Sequence, residues 1–425
     1  MHDPSELLED GQAAVRRLAR RRYDLDLAAL EKAMRRRSEA QAEMTRSRTE
    51  LNRVSRTRGR PGPPSEEEKE AARALRADAQ QAEAAARSAG HDLSELLLGI
   101  PNVPLDQVPD GGTEKEAVEV RRWGPARHGS DAPHHADIGE SLGILDGPAA
   151  AGLSGARFSV SRGPGARLER ALTDFFLDLH THEHGYTEYS VPFLVNRDTM
   201  TGTGQLPKFE DDLFRTQVGD RELFLIPTAE VPLTNLVAQQ LLDTRDLPYA
   251  FTARTPCFRA EAGAYGRDTR GILRLHQFEK VELVRVCAPE DAPAQLELMV
   301  GHAEECLRRL GLSHRVVLLP AGDLGFSARM TYDIEVWLPG SGAYREISSV
   351  SDCGTFQGRR ANIRHRGADG RKGPAATLNG SALPVGRTVA ALLEQGVQED
   401  GSVLLPEVLA PYTGFRRILP GGRTA

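Results

Sequence analysis

Gly59-Arg60-Pro61-Gly62-Pro63-Pro64 cuts a long run of helical periodicity in two, and no helix passes through such a cluster of prolines and glycines. On its N-terminal side, Leu27, Leu30, Met34, Met44, Leu51 and Val54 recur at three- and four-residue spacing, which predicts one helix over residues 27–55. On its C-terminal side, Ser65-Glu66-Glu67-Glu68 has the form of a capping box. Beyond that cap, Ala72, Leu75, Ala79, Ala82, Ala86, Ala89, Leu93 and Leu96 keep the same alternation without a miss. Small alanines on such a seam let two helices approach closely. The pattern therefore predicts an antiparallel helical hairpin, about 45 Å long for ~30 residues per helix at 1.5 Å each. So narrow a hairpin buries little by itself, and reads as an arm on something larger.

Charge is uneven along that arm. Residues 27–58 carry nine cations against four acids, whereas residues 65–90 carry four against six. The whole chain has 54 Lys and Arg against 60 Asp and Glu, a net charge of −6 that by itself disfavours a nucleic-acid partner. Its first helix alone is the opposite case. Arginines on an exposed helix fit a solvated face and an RNA backbone grip equally well.

After Ile100-Pro101-Asn102-Val103-Pro104 the character changes. Short β-rich runs at 223–226, 281–286, 315–319 and 334–338 alternate irregularly with amphipathic stretches at 168–184 and 294–310, which predicts an α+β domain on a largely antiparallel sheet. The expected division is residues 1–104 for the helical arm and 105–425 for the larger domain. No run approaches the ~18 apolar residues of a membrane span, and residues 1–12 do not resemble a signal peptide. Four scattered cysteines without a CxxC pair argue against a zinc knuckle or disulfide framework and for a reducing cytoplasm.

The familiar phosphate loops are missing. GxxxxGK[ST] is absent, and Gly163-Pro164-Gly165 reads as a turn rather than a dinucleotide fingerprint. His180 and His184 share a helix face but lack the acid of an HExxH site, and His134-His135 is equally non-specific. Residues 258–282 are more informative. Phe258-Arg259-Ala260-Glu261 and 272–282 read as two strands around an Arg/Gly loop, with Arg274, His276, Phe278, Lys280 and Glu282 on related pleats.

Phe258-Arg259-Ala260-Glu261 followed by Arg274-Leu275-His276-Gln277-Phe278 resembles the second signature of class II aminoacyl-tRNA synthetases, and most closely that of the seryl-tRNA synthetase family. Gly185-Tyr186-Thr187-Glu188-Tyr189-Ser190-Val191-Pro192 is similar to the first signature, and Thr377-Leu378-Asn379-Gly380-Ser381-Ala382-Leu383-Pro384-Val385-Gly386-Arg387 to the third. Gly202-Thr203-Gly204-Gln205-Leu206-Pro207-Lys208-Phe209, Pro227-Thr228-Ala229-Glu230 and Arg345-Glu346-Ile347-Ser348-Ser349 match further blocks, in order, along essentially the whole chain.

The resemblance implies a class II antiparallel sheet with flanking helices behind a coiled-coil arm, and a cytoplasmic homodimeric ligase using ATP and Mg²⁺. It implies activation of L-serine and transfer to tRNA(Ser), held by its long variable arm and acceptor end. By position, Arg259, Glu282 and Arg387 would be the catalytic set. Thr228, Ala229, Glu230, Arg259, Glu282, Asn379 and Ser381 would bind serine. Arg259, Glu261, Arg274, Leu275, Phe278, Glu346, Ile347, Ser348, Ser349 and Arg387 would bind ATP, with Glu346 and Ser349 as magnesium ligands. Arg35, Arg36, Arg46, Arg53, Arg267 and Arg270 would contact tRNA.

Several positions depart from the family pattern. Met330 stands where lysine is usual, Val350-Ser351-Asp352-Cys353 replaces a Cys-Ser-Asn run, Gly358 and Pro384 replace alanines, and Gln395-Gly396 replaces Asn-Tyr. They leave room for a specialised second copy with altered inhibitor sensitivity. A carrier-loading relative would have no use for the arm, and a non-catalytic RNA binder no use for Arg259, Glu282, Glu346 and Arg387.

Overall fold

A computed structural model describes residues 1–57, 65–125, 132–262, 270–367 and 369–425. The expected hairpin tip at 59–64, Arg58 and Arg267 lie outside these described residues. The chain separates into two compact units, Met1–Pro101 and Asn102–Ala425.

In the first unit, the short helices Pro4–Asp10 and Gln12–Ala19 precede two long ones, Leu27–Thr57 and Glu66–Leu98, which pack on each other. The capping box forms as its sequence requires. Ser65 Oγ accepts from Glu68 N at 3.1 Å, and Glu68 Oε2 accepts from Ser65 N at 2.9 Å. Ala72, Ala82, Ala89 and Leu93 are buried along the expected seam, but the last buried position is Leu97 rather than Leu96. The shift follows from helix geometry: 3.6 residues per turn drifts against a heptad pattern, so after three heptads the next residue faces the partner.

The second unit is built on an eight-stranded sheet. Its strands are β1 (Val118–Trp123), β2 (Thr187–Glu188), β3 (Tyr249–Phe258), β4 (Gln277–Cys287), β5 (His314–Leu318), β6 (Met330–Leu338), β7 (Ala343–Asp352) and β8 (Ala376–Pro384). Their spatial order is β1-β5-β6-β7-β8-β4-β3-β2, antiparallel throughout except for the β2–β3 pair. Alternation along β4 divides its labour. Val281 and Leu283 enter the main hydrophobic core with the helices Pro164–Asp178, Ala292–Arg309 and Val385–Gly396, while Lys280 and Glu282 face the other way. Further along that second face, Val284 and Val286 join a smaller cluster with Ala229, Leu233 and Phe251.

The expected turn at Gly163-Pro164-Gly165 is confined to Gly163, which at φ +54° caps a helix starting at Pro164, where a missing N–H costs nothing. The expected strand over 272–276 needs correction, since β4 begins only at Gln277. Glu261 at φ +54° turns the chain away after β3, so Arg274 and His276 approach on irregular backbone rather than on a common pleat.

Candidate active site

The centre of the sheet carries a cavity of about 420 Å³. Register sets its floor. Glu282 on β4 lies directly opposite Ser381 on β8, and Asn379 lies opposite Ser351 on β7. Alternation from Glu282 brings Lys280 and Phe278 into the same cavity.

One end is acidic and buried. Lys280 Nζ donates to Thr228 Oγ1 at 3.0 Å and pairs with Glu282, which is 1% exposed. Glu230 stands beside them at the start of a short helix, and accepts at Oε1 from Gln357 Nε2 at 2.6 Å. Burial, and then the neighbouring Glu282 carboxylate, push the Glu230 carboxyl up to about 7. Burial likewise raises Glu282, against the pull of Lys280. The space between these groups suits a small molecule with one ammonium and one hydroxyl.

The other end is cationic. Arg259 lies over the Phe278 ring at 5.3 Å and donates from Nε to Pro227 O at 3.3 Å. Arg274 pairs with Glu261. Arg387, in the first turn of its helix, donates from Nε to Leu273 O at 3.1 Å and from Nη1 to Glu346 O at 2.8 Å, and its Nη1 lies 3.2 Å from Glu346 Oε1. That guanidinium holds the Glu346 carboxyl below its usual range. Three arginines and an aromatic face within one cavity form a cradle for a polyphosphate joined to a flat ring.

Most of the expected site residues line this cavity: Thr228, Glu230, Arg259, Glu261, Arg274, Leu275, Phe278, Glu282, Glu346, Ile347, Ser349, Asn379, Ser381 and Arg387. Ala229 is not among the lining residues and is buried in the smaller cluster. Ser348 turns the other way and donates to Ser381 O at 2.7 Å, bracing the strand that carries Ser381. Arg35, Arg36, Arg46 and Arg53 are exposed on the Leu27–Thr57 helix, each paired with an acid: Glu31, Asp92, Glu43 and Glu50. Arg270 is exposed and paired with Asp137.

Sequence reasoning left Lys280 and Gln357 without a role. Alternation already placed Lys280 beside Glu282, but a lysine reads as surface until its burial is known. Gln357 had no such signal, because its hold on Glu230 joins residues 127 positions apart.

The profile described as "Seryl-tRNA synthetase N-terminal domain" matches residues 1–104, and "tRNA synthetase class II core domain (G, H, P, S and T)" matches residues 209–396. A Streptomyces avermitilis protein named serine--tRNA ligase 2 is 90% identical over the full length of both chains. The chain belongs to the seryl-tRNA synthetase family. Serine--tRNA ligase from Acidithiobacillus ferrooxidans is 49% identical across 99% of this chain and 100% of its own. The crystal structure of seryl-tRNA synthetase from Pyrococcus horikoshii complexed with ATP superposes with a TM-score of 0.87 at 33% identity, covering 99% of this chain and 100% of that one.

Set against the family pattern, the departures fall mostly outside the cavity. Of Met330, Val350, Gly358, Pro384, Gln395 and Gly396, Pro384 alone lines it. Met330 and Val350 point into the core. Gly358 has a packing reason: a Cβ there would lie 2.2 Å from Ala375 O. Gln395 donates to Trp337 O at 2.9 Å and accepts from Ser313 N at 3.3 Å, tying its helix to the sheet.

Proposed function

We propose that this chain activates L-serine with ATP and transfers it to tRNA(Ser), and that the cavity described above is where both steps occur. The observation that carries the reading is the division of one cavity into a buried acidic end and an arginine-lined end, with Arg259 near their junction. In the first step a serine carboxylate oxygen attacks the ATP α-phosphorus, and the bond to pyrophosphate breaks. In the second, a terminal ribose hydroxyl of tRNA attacks the seryl carbonyl, and AMP leaves with the former carboxylate oxygen. Neither step needs a strong base; both need reactants aligned and charge matched as it moves.

Arg259 is assigned to the α-phosphate and serine carboxylate, which its planar fork can bridge. Arg387 and Arg274 take the outer phosphates, and Phe278 stacks on adenine beside Glu261. Thr228 and Glu230 hold the serine ammonium, while Glu282 accepts from its hydroxyl and Ser381 limits the space around it. Asn379 faces the same end. A site built to pair a substrate hydroxyl rejects an analogue lacking it by ~10⁴-fold or more.

Glu346 is half exposed, and its carboxylate and the nearby Ser349 supply only oxygen, the donor set a hard cation prefers. These two residues would hold Mg²⁺, which on binding neutralises phosphate charge. Residues 1–104 are assigned to tRNA, with the variable arm gripped by the basic helix, and the working form is a homodimer. The test is exchange of labelled pyrophosphate into ATP with each amino acid in turn, followed by charging of total tRNA. Exchange with serine alone and charging of one tRNA family are expected. Exchange with another amino acid, or exchange without charging, overturns the assignment.

A further inference from the structure

The pair His134-His135 has no part in the chemistry above. With Glu394 it nevertheless forms the one cluster of potential metal ligands among the described residues, their ligand atoms lying within 4.8 Å of one another. Its hydrogen bonds point to a different use. His135 is wholly buried, and both ring nitrogens are engaged. Nδ1 lies 2.7 Å from Glu394 Oε1, and Nε2 lies 3.2 Å from the backbone N–H of Ile272. A backbone N–H only donates, so Nε2 carries the lone pair and the ring proton sits on Nδ1, facing the carboxylate. Glu394 is committed as well: Oε1 accepts from His135 N at 3.1 Å and Oε2 from Gly340 N at 2.8 Å. A cation here would have to take Nε2 or Glu394 away from these donors and leave buried N–H groups unmet.

What the ring connects is more telling. Glu394 lies about two turns beyond Arg387 on the Val385–Gly396 helix. Ile272 immediately precedes Leu273, whose carbonyl oxygen accepts from Arg387 Nε at 3.1 Å, and Arg274, which pairs with Glu261. One imidazole therefore ties the helix that carries Arg387 to the backbone against which Arg387 is set. Arg270, paired with Asp137 on the helix that His135 begins, fastens the same backbone from a second point. Gly271 makes room for the ring: its φ is +81°, and a Cβ there would lie 2.1 Å from His135 Nε2.

We propose that His135 is a positioning residue for the ATP half of the site, holding residues 272–274 and the Arg387 helix in one fixed relation. The proposal rests on the assignment of Arg387 and Arg274 to ATP. It predicts a defect confined to ATP, because the serine end draws on Thr228, Glu230, Glu282 and Ser381, none of which touches this relay.

Two substitutions separate the two halves of the ring. His135→Asn keeps a donor near Nδ1 for Glu394 but cannot reach Ile272. His135→Gln places a carbonyl oxygen near Nε2 and restores the acceptor. In serine-dependent pyrophosphate exchange, His135→Asn should raise the KM for ATP about ten- to hundredfold, as loss of remote positioning does. The KM for serine should stay within about twofold, and His135→Gln should recover most of the ATP affinity. Gly271→Ala, which drives a methyl group into Nε2, should reproduce the ATP-selective defect and serves if the histidine variants do not fold. A parallel rise in both KM values, or His135→Gln no better than His135→Asn at equal thermal stability, would reduce the ring to packing and overturn the proposal. So would stoichiometric zinc retained through dialysis by the parent chain and lost in His135→Asn. Exchange in the parent chain that does not depend on serine would instead sink the reading of the site, leaving a different failure from these.

Discussion

Gln357 fixes Glu230 with a fully committed amide. Its Nε2 donates to Glu230 Oε1 at 2.6 Å and to Thr203 O at 3.1 Å, while its Oε1 accepts from Thr377 Oγ1 at 2.7 Å. A neutral amide can steer a buried carboxyl but cannot neutralise it. That is why Glu230 remains up near 7, under burial and the Glu282 charge.

Glu230 should therefore give the enzyme a pH signature of two kinds. Only the carboxylate pairs with an ammonium, so kcat/KM for serine should climb about tenfold per pH unit below pH 7 and level off above it. Glu230→Gln should flatten that limb and lower the plateau. Stability should move the other way. The folded value, about 7, exceeds the ordinary glutamate value of 4.5, so the folded state binds the proton more tightly than the unfolded chain does. That contribution is complete below pH 4.5 and lost as pH rises through 7, about 3 kcal/mol in all at 1.36 kcal/mol per unit. Glu230→Gln should then be more stable than the parent at pH 8 by up to about that amount, with the gap closing by pH 4. Denaturant melts at the two pH values measure it, and a pH-independent gap sinks the argument.

Much of this site is legible in the sequence, and the part that is not has a physical reason. Ser65 with Glu68, the alanine seam and the strand around Val281 are local patterns, decided by neighbours in sequence. The placing of Glu282, Arg259 and Arg387 came from signature likeness rather than periodicity, since nothing local says that β4 and β8 set Glu282 against Ser381. Residues 272–276 have β-rich composition yet lie outside the strand: Glu261 takes a left-handed backbone just after β3, and the Ile272 N–H is given to His135 Nε2 instead of to a ladder. His135 itself looked non-specific because its partner is 259 residues away.

Glu282 should govern serine and leave ATP alone. Its carboxylate is buried, paired with Lys280 and set beside Ser381. Glu282→Ala would strand the Lys280 ammonium, a change that costs about 3–5 kcal/mol of stability by itself, so Glu282→Gln is the cleaner probe. Removing a hydrogen bond to a charged acceptor costs about 1.5–3 kcal/mol, so the KM for serine should rise about ten- to hundredfold. The KM for ATP should change by less than about threefold. The opposite order would refute the assignment.

Pro384 is the place to look for altered inhibitor sensitivity. It lines the cavity and is the register partner of Lys280, next to a bulge in the β4–β8 ladder. Proline there fixes φ and withholds an N–H that alanine would offer. Pro384→Ala should shift inhibition by a seryl-adenylate mimic toward that of an ordinary seryl enzyme while leaving the serine KM within about twofold. Equal inhibition of the parent chain and an ordinary enzyme removes the premise.

The basic helix offers the sharpest division between the two units. Arg35, Arg36, Arg46 and Arg53 are 62–70% exposed, and solvent screening leaves their ion pairs with Glu31, Asp92, Glu43 and Glu50 little weight in stability. Changing all four to glutamine should therefore leave thermal unfolding nearly unmoved. Binding to phosphate behaves differently, because each phosphate that an arginine neutralises releases condensed counterions. The slope of log affinity against log salt should become shallower by roughly 0.7–0.9 for each phosphate no longer neutralised. The KM for tRNA should rise accordingly, while serine-dependent pyrophosphate exchange, which needs no RNA, should hold its parent rate. Deleting residues 27–96 should carry the same separation to its limit, with charging abolished and exchange retained. A quadruple variant that charges normally at every salt concentration would show that these arginines form a solvated face and nothing more. If exchange fell in step with charging, the arm would be serving the catalytic unit's own structure, and its assignment to RNA would fail.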